Sequence, residues 1–149
     1  MLKNSLNKEE YFTGLRIGRH CIFDLSVHLV FMTKYKRGVL TRAILSDLGQ
    51  IMAHICQHFQ AKLVEFNGED DHVHMLINYP PKVAVSTLVN SLKSVSSRQL
   101  RQRDYPALNR LIRNNPLWSP GYFASSGESL PISSWRQYVE VFRAPVPET

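Results

Sequence analysis

From Cys21 to Met32 the chain alternates: Phe23, Leu25, Val27, Leu29 and Phe31 share one face, with Asp24, Ser26 and His28 among those on the other. A period of two marks a strand with one side in a core. Such a strand needs partners in a sheet and a layer to cover it, and both are legible downstream. Thr41 is a good helix N-cap, and Ile44, Leu48, Ile51, Ile55 and Phe59 recur at helical spacing through Gln60. Lys62 to Phe66 reads as a second strand, Asn67-Gly68 as a turn that Asp70-Asp71 extends, and His72 to Asn78 as a third strand completing a hairpin. Beyond Pro80-Pro81, the residues Val85, Leu88, Leu92 and Val95 mark an amphipathic helix running to about Arg103, with a basic outer face. Asp104 to Pro120 is expected to be irregular, broken by Pro106, Pro116 and Pro120. Tyr122 to Ser125 reads as a fourth strand, and Ile132 to Arg143 as a last short helix stopped by Pro145 and Pro147.

The order strand, helix, strand, strand, helix, strand, helix predicts an α+β fold, an antiparallel sheet with helices packed on one face. No linker divides the chain, so residues 1–149 are expected to form one domain, with 1–18 as a leader and 144–149 as a tail. Apolar residues make up 44% and charged residues 20%, which excludes wholesale disorder. The net charge of +6, from 18 Lys and Arg against 12 Asp and Glu, favours a polyanionic partner. Cys21 and Cys56 are too few and too far apart for a disulfide framework or a thiolate metal site. Both are expected to be reduced core residues of an intracellular protein. No stretch approaches the roughly 20 apolar residues of a membrane span, and Met1 to Lys8 lacks the apolar centre of a signal peptide. The expectation is a soluble, cytoplasmic protein.

His72-Val73-His74 is the sharpest chemical feature. On a strand, residues two apart point the same way, so both imidazoles leave one face while Val73, Met75 and Ile77 supply the core from the other. Two neighbouring imidazoles make a natural pair of metal ligands, with Asp71 as a carboxylate able to orient one of them. The plainer alternative is two histidines on a half-exposed strand. Tyr138 shares a helical stripe with Trp135, Val139 and Phe142, a pattern that core packing also produces. As a nucleophile, its phenol would need a phosphodiester polarised by a metal or by cations. Basic residues gather around Tyr35 (Lys34, Lys36 and Arg37) and along the second helix (Lys93, Arg98, Arg101 and Arg103). Cations interleaved with an aromatic suit a phosphate backbone and stacked bases of a single strand; a charged turn and a solvated helix face would look the same. His28 opposes the core face of the first strand and reads as a structural histidine. Gly-rich phosphate loops, Gly-x-Ser-x-Gly elbows and Cys-x-x-Cys pairs are absent from the sequence.

These segments, in this order, resemble the single-tyrosine transposases of small bacterial insertion sequences, members of the HUH endonuclease superfamily. The matching stretches are Val27-His28-Leu29-Val30-Phe31 running into Lys34-Tyr35-Lys36-Arg37-Gly38-Val39-Leu40, then Asp71-His72-Val73-His74-Met75-Leu76. Leu92-Lys93-Ser94-Val95-Ser96-Ser97-Arg98, Leu117-Trp118-Ser119-Pro120-Gly121-Tyr122-Phe123 and Arg136-Gln137-Tyr138-Val139-Glu140 follow. The resemblance implies a ferredoxin-like fold, a homodimer, and a divalent metal, Mg²⁺ or Mn²⁺, on His72 and His74. It implies that Tyr138 cleaves single-stranded DNA, leaving a 5′-phosphotyrosine link that a 3′-hydroxyl later attacks. It also implies DNA ends folded as hairpins, for which Lys34, Tyr35, Lys36, Arg37, Lys93 and Arg98 are the candidate contacts.

One position departs from the family. A Gln one helical turn after the tyrosine commonly ligates the metal, and here that position is Phe142, which cannot. Either two histidines suffice with water and DNA oxygens, or another side chain substitutes, or the copy is impaired. Two other readings stand beside the transposase: a DNA-hairpin-binding relative without catalysis, and a basic ferredoxin-like RNA-binding module.

Overall fold

The computed structural model describes residues 15–34, 38–126 and 132–144. Its main sheet has four antiparallel strands: β3 (Ser26–Met32), β4 (Lys62–Gly68), β5 (His72–Asn78) and β6 (Phe123–Ser126), preceded by a two-stranded hairpin of β1 (Arg16–Ile17) and β2 (Ile22–Phe23). The order across the main sheet is β4-β5-β3-β6, so β3 and β5 are central. With helices α1 (Arg42–His58) and α2 (Val85–Arg101) as crossovers, this is the split β-α-β-β-α-β arrangement of a ferredoxin-like fold. A third helix, α3 (Pro106–Ile112), and a C-terminal helix, α4 (Ile132–Arg143), complete the described chain.

The core follows the alternation. Val27, Leu29 and Phe31 of β3 and Val73, Met75 and Ile77 of β5 are buried on one face. Leu48, Ile51, Met52 and Ile55 of α1 and Leu88 and Leu92 of α2 close over them in one cluster. Each side chain so buried contributes about 1.5–3 kcal/mol. Thr41 caps α1 as expected, its hydroxyl accepting from the Ile44 amide at 3.3 Å.

The opposite face is not left to solvent. Val30 and Met32 of β3 pack against Val139 of α4, with Phe123, Trp135, Tyr138 and Phe142 around them. The helices therefore lie on both faces, with α1, α2 and the short α3 on the large core and α4 on the other.

Three expectations are corrected. Arg16 and Ile17, assigned to a leader, pair with Phe23 and Ile22; Arg16 also donates to Asn78 Oδ1 at 2.9 Å and to the Gln60 carbonyl at 2.8 Å. The stretch read as irregular contains α3, because Pro106 stands at the first turn, where its missing N–H is no loss. Leu108 and Ile112, one turn apart, bury that short helix. Cys56 is buried as expected, but Cys21 is exposed, since no second layer covers the small hairpin among the described residues.

Candidate active site

The register of β3 on β5 places Val30 opposite His74, Met32 opposite His72 and His28 opposite Leu76. His28, His72 and His74 thus share the face turned away from α1 and α2, and all three are buried because α4 covers that face. Trp135 lies nearly parallel over the His74 ring, centroids 4.7 Å apart and planes at 10°. One turn on, Tyr138 packs between Phe123 (5.7 Å) and Phe142 (6.4 Å). A Cβ built on Gly121 would come 3.8 Å from the Tyr138 hydroxyl. The structure therefore brings the histidine pair and Tyr138 to one side of the sheet within one chain. Burial pushes the Tyr138 phenol above its ordinary range, so it is protonated at neutral pH.

The two histidines are held differently. Nδ1 of His72 lies 2.9 Å from Asp71 Oδ1, and a carboxylate partner means that Nδ1 carries the proton. Nε2 of His72 is then a free lone pair, the tautomer a metal ligand needs. Asp71 is gripped from the other side by Arg143, whose Nε and Nη2 donate to its two oxygens at 2.6 Å each; Nη2 also donates to Glu69 at 2.9 Å. Burial alone would raise the Asp71 carboxyl, but hydrogen bonds and charge from Arg143 and His72 outweigh it and hold the group below its ordinary range. The same bonds, with Asp71 first, raise Arg143. Glu69, Asp71 and His72 bring ligand-type atoms within 4.8 Å of one another. The carboxylates in that group already serve Arg143.

His74 meets His28 instead. Nε2 of His74 and Nδ1 of His28 are 3.0 Å apart, the planes differ by 1° and the centroids lie 5.3 Å apart. The centroid separation exceeds the nitrogen separation by about two ring radii, so the rings meet edge to edge in one plane. This is the geometry of a shared N–H, not of a face-to-face stack. Among the described residues, Nε2 of His28 is buried without a partner. Stranding an acceptor there is easier than stranding an N–H, so His28 Nδ1 donates and His74 Nε2 accepts, a tautomer inferred from the network. Burial first, then the neighbouring His28, lower the pKa of His74 and keep it neutral. A divalent ion therefore fits His72 directly, and fits His74 once its nitrogen exchanges His28 for the ion.

The candidate DNA contacts separate. Tyr35, Lys36 and Arg37 lie outside the described residues. Lys34 donates to Asn115 Oδ1 at 3.3 Å and is exposed. Lys93 is engaged by the protein itself: its ammonium donates to the carbonyls of Ser119, Pro120 and Gly121 at 2.8, 3.1 and 2.9 Å. It sits 5.4 Å from the Phe31 ring and 5.5 Å from the Tyr122 ring. In this structure Lys93 braces the loop leading to β6. Arg98 is exposed on α2. Phe142, where the resemblance implies a different residue, is half-buried against Val30, Met32 and Val139.

Sequence reasoning missed Arg143, whose position in the last turn of α4 reads as an ordinary helix-end cation. It also treated Trp135 only as part of an apolar stripe. An Arg at a helix end opposite the acidic run Glu69-Asp70-Asp71 was the available signal, but only the fold sets the two together.

The family model for IS200-like transposases matches residues 21–141. The chain belongs to the IS200-like transposase family. Its curated relatives include the ISDra2 transposase TnpA of Deinococcus radiodurans, 26% identical over 126 residues, with 85% of this chain and 89% of the relative covered. The transposase of the insertion sequence element IS200 from Salmonella typhimurium is 30% identical over 107 residues, covering 72% and 70%. Among solved structures, a Deinococcus radiodurans transposase superposes with a TM-score of 0.76 at 27% identity, covering 85% of this chain and 96% of that one. A REP-associated tyrosine transposase bound to a REP hairpin aligns with a TM-score of 0.52 at 12% identity over 84% and 68% of the two chains, a likeness of fold.

Proposed function

We propose that this transposase cleaves and rejoins single-stranded DNA through Tyr138, with His72 and His74 as the protein ligands of a divalent cation, Mg²⁺ or Mn²⁺. The observation that carries the reading is that α4 lays the tyrosine's helix directly on the histidine face, Trp135 over His74. When bound, the cation supplies Lewis-acid polarisation of the scissile phosphate. Tyr138 attacks phosphorus with its phenolic oxygen, the phenol proton passes to solvent, and the DNA 3′-oxygen departs and is protonated. The 5′-phosphate is then esterified to Tyr138. A 3′-hydroxyl from another DNA end reverses the chemistry, forming a new phosphodiester and restoring the phenol. Because the phenol is held protonated, a polarised phosphate and nearby cations are needed for attack at neutral pH.

Recognition of hairpin DNA ends, with Lys34, Tyr35, Lys36, Arg37 and Arg98 as contacts and Lys93 as a brace, belongs to the same proposal. So does a homodimer. One relative in fold is bound to a REP hairpin, and the family membership of this chain supports the same class of partner. A non-catalytic hairpin binder is the second reading, favoured by Phe142 packing where the family's third ligand stands.

The test is a denaturing gel of the native protein and Tyr138→Phe with labelled single-stranded DNA from the ends of its own element, with and without Mn²⁺. The reading predicts a metal-dependent, SDS-resistant adduct that Tyr138→Phe abolishes. No adduct on DNA that the native protein binds would leave the non-catalytic reading.

A further inference from the structure

A groove of about 420 Å³ runs between α2 and the segment from Pro116 to Pro120. Its helix wall is a ridge of polar residues, Asn90, Ser94, Ser97 and Arg101, spaced by four, three and four, with Arg98 beside it. That spacing is one helical face, distinct from the buried stripe of Leu88 and Leu92. Asparagine and serine are short, so the groove stays open, and they present donors and acceptors rather than a packing surface. Its charged lining residues are all basic: Lys93, Arg98 and Arg101. Lys93 and Arg101 are anchored, the first on three carbonyls and the second on the Asn115 carbonyl at 3.1 Å. Arg98 has no ion-pair partner among the described residues and is exposed.

The opposite wall continues toward the sheet edge at β6, past which lies the face that carries Tyr138. The wall ends at Ser119 and Pro120, and the next residue, Gly121, is the one that approaches the Tyr138 hydroxyl. Lys93 pins that junction from the helix side. A chain lying in the groove would leave it beside the nucleophile.

We infer that this groove seats the unpaired nucleotides adjoining the scissile phosphate, Arg98 contacting the backbone and Asn90 and Ser97 facing the bases. The inference rests on the proposed reaction at Tyr138 and assigns it a path for the substrate strand. The volume falls within the range of clefts for small ligands, which suits a nucleotide-sized guest. A cationic wall meets the phosphate, and polar side chains meet base edges, as single-strand grooves require.

The experiment measures anisotropy of a labelled single-stranded oligonucleotide, and of a blunt duplex, with the full chain across a salt series. Arg98→Glu removes and reverses the free charge, Ser97→Trp fills the groove without changing charge, and Arg42→Glu makes the same charge change on α1, outside the groove. Arg98→Glu is expected to weaken single-strand binding about tenfold and to lower the salt slope by about 0.7 per lost contact. Ser97→Trp is expected to weaken it by a similar factor, with the duplex unaffected; Arg42→Glu should change either by less than about threefold. Native affinity in both groove variants, or an equal loss in Arg42→Glu, would overturn the assignment. The adduct gel keeps the two proposals apart. Groove variants that lose binding when the native protein forms no adduct would sink only the catalytic reading. An adduct formed at unchanged half-saturating DNA in those variants would sink only the groove.

Discussion

Arg143 holds Asp71 by two hydrogen bonds of 2.6 Å, and Asp71 in turn holds Nδ1 of His72 at 2.9 Å. The last turn of the tyrosine-bearing helix is thereby tied to the strand that carries the histidine pair. Arg143→Ala should lower stability by about 1–3 kcal/mol, below the cost of breaking a fully buried pair because the guanidinium keeps solvent contact. Urea unfolding of Arg143→Ala, Asp71→Asn and the double variant should give a coupling term, as neighbours in one network do; strictly additive effects would refute the tie. The pH dependence has a definite sign. A carboxyl held below its ordinary value adds stability that is present above the unfolded value and lost as pH falls through the folded one. Asp71→Asn should flatten that acid limb.

At the position where the family resemblance implies a carbonyl ligand, Phe142 is packed against Val30, Met32 and Val139. Phe142→Gln should therefore act in two directions. Metal affinity should rise about tenfold, the scale of a support lost or restored at a metal site, while stability falls by about 1–3 kcal/mol from lost burial. Calorimetric titration with Mn²⁺ and a urea series check the two separately. Unchanged Mn²⁺ affinity would mean that this side chain does not reach the ion.

In the proposed metal site, His28 and the ion would compete for Nε2 of His74, which now lies 3.0 Å from His28 Nδ1. Replacing His28 by Leu removes the competitor while keeping an apolar body in its place, so Mn²⁺ should bind more tightly than to the native chain. Weaker binding, measured by the same titration, would show instead that His28 supports the ligand.

Trp118 donates from Nε1 to Ser96 Oγ at 2.9 Å, both residues being buried. Ser96→Ala strands the indole N–H and should cost about 1–3 kcal/mol. Ser96→Thr, which retains the hydroxyl, should recover part of it. A midpoint for Ser96→Ala equal to the native one would contradict the argument.

The two cysteines should separate by reactivity. Burial pushes the Cys56 thiol up to about 12, and Cys21 is exposed. Iodoacetamide at mildly alkaline pH should label Cys21 and spare Cys56 until the chain unfolds, which mass spectrometry of the digested protein reads directly. Since the folded thiol is raised, its contribution is complete below the unfolded value and is lost as pH climbs through the folded one.

The elements themselves were legible in the chain because their signals are local. The alternation from Phe23 to Phe31 locates β3, the helical spacing from Ile44 to Phe59 locates α1, and His-x-His on a strand forces both rings to one face. Where a local signal conflicted, as with the prolines around α3, the reading failed: Pro106 breaks a helix in its interior but starts one at its first turn. The family's ordered motifs carried the rest of the sequence argument. What only the tertiary structure decided are relations between residues far apart along the chain. His28 and His74 are 46 positions apart, Asp71 and Arg143 are 72 apart, and no periodicity links either pair. Their meeting depends on β3 and β5 being neighbours and on α4 taking the face that α1 and α2 leave open. Side-chain pattern determines which way a residue points; the packing of whole layers determines what it meets there.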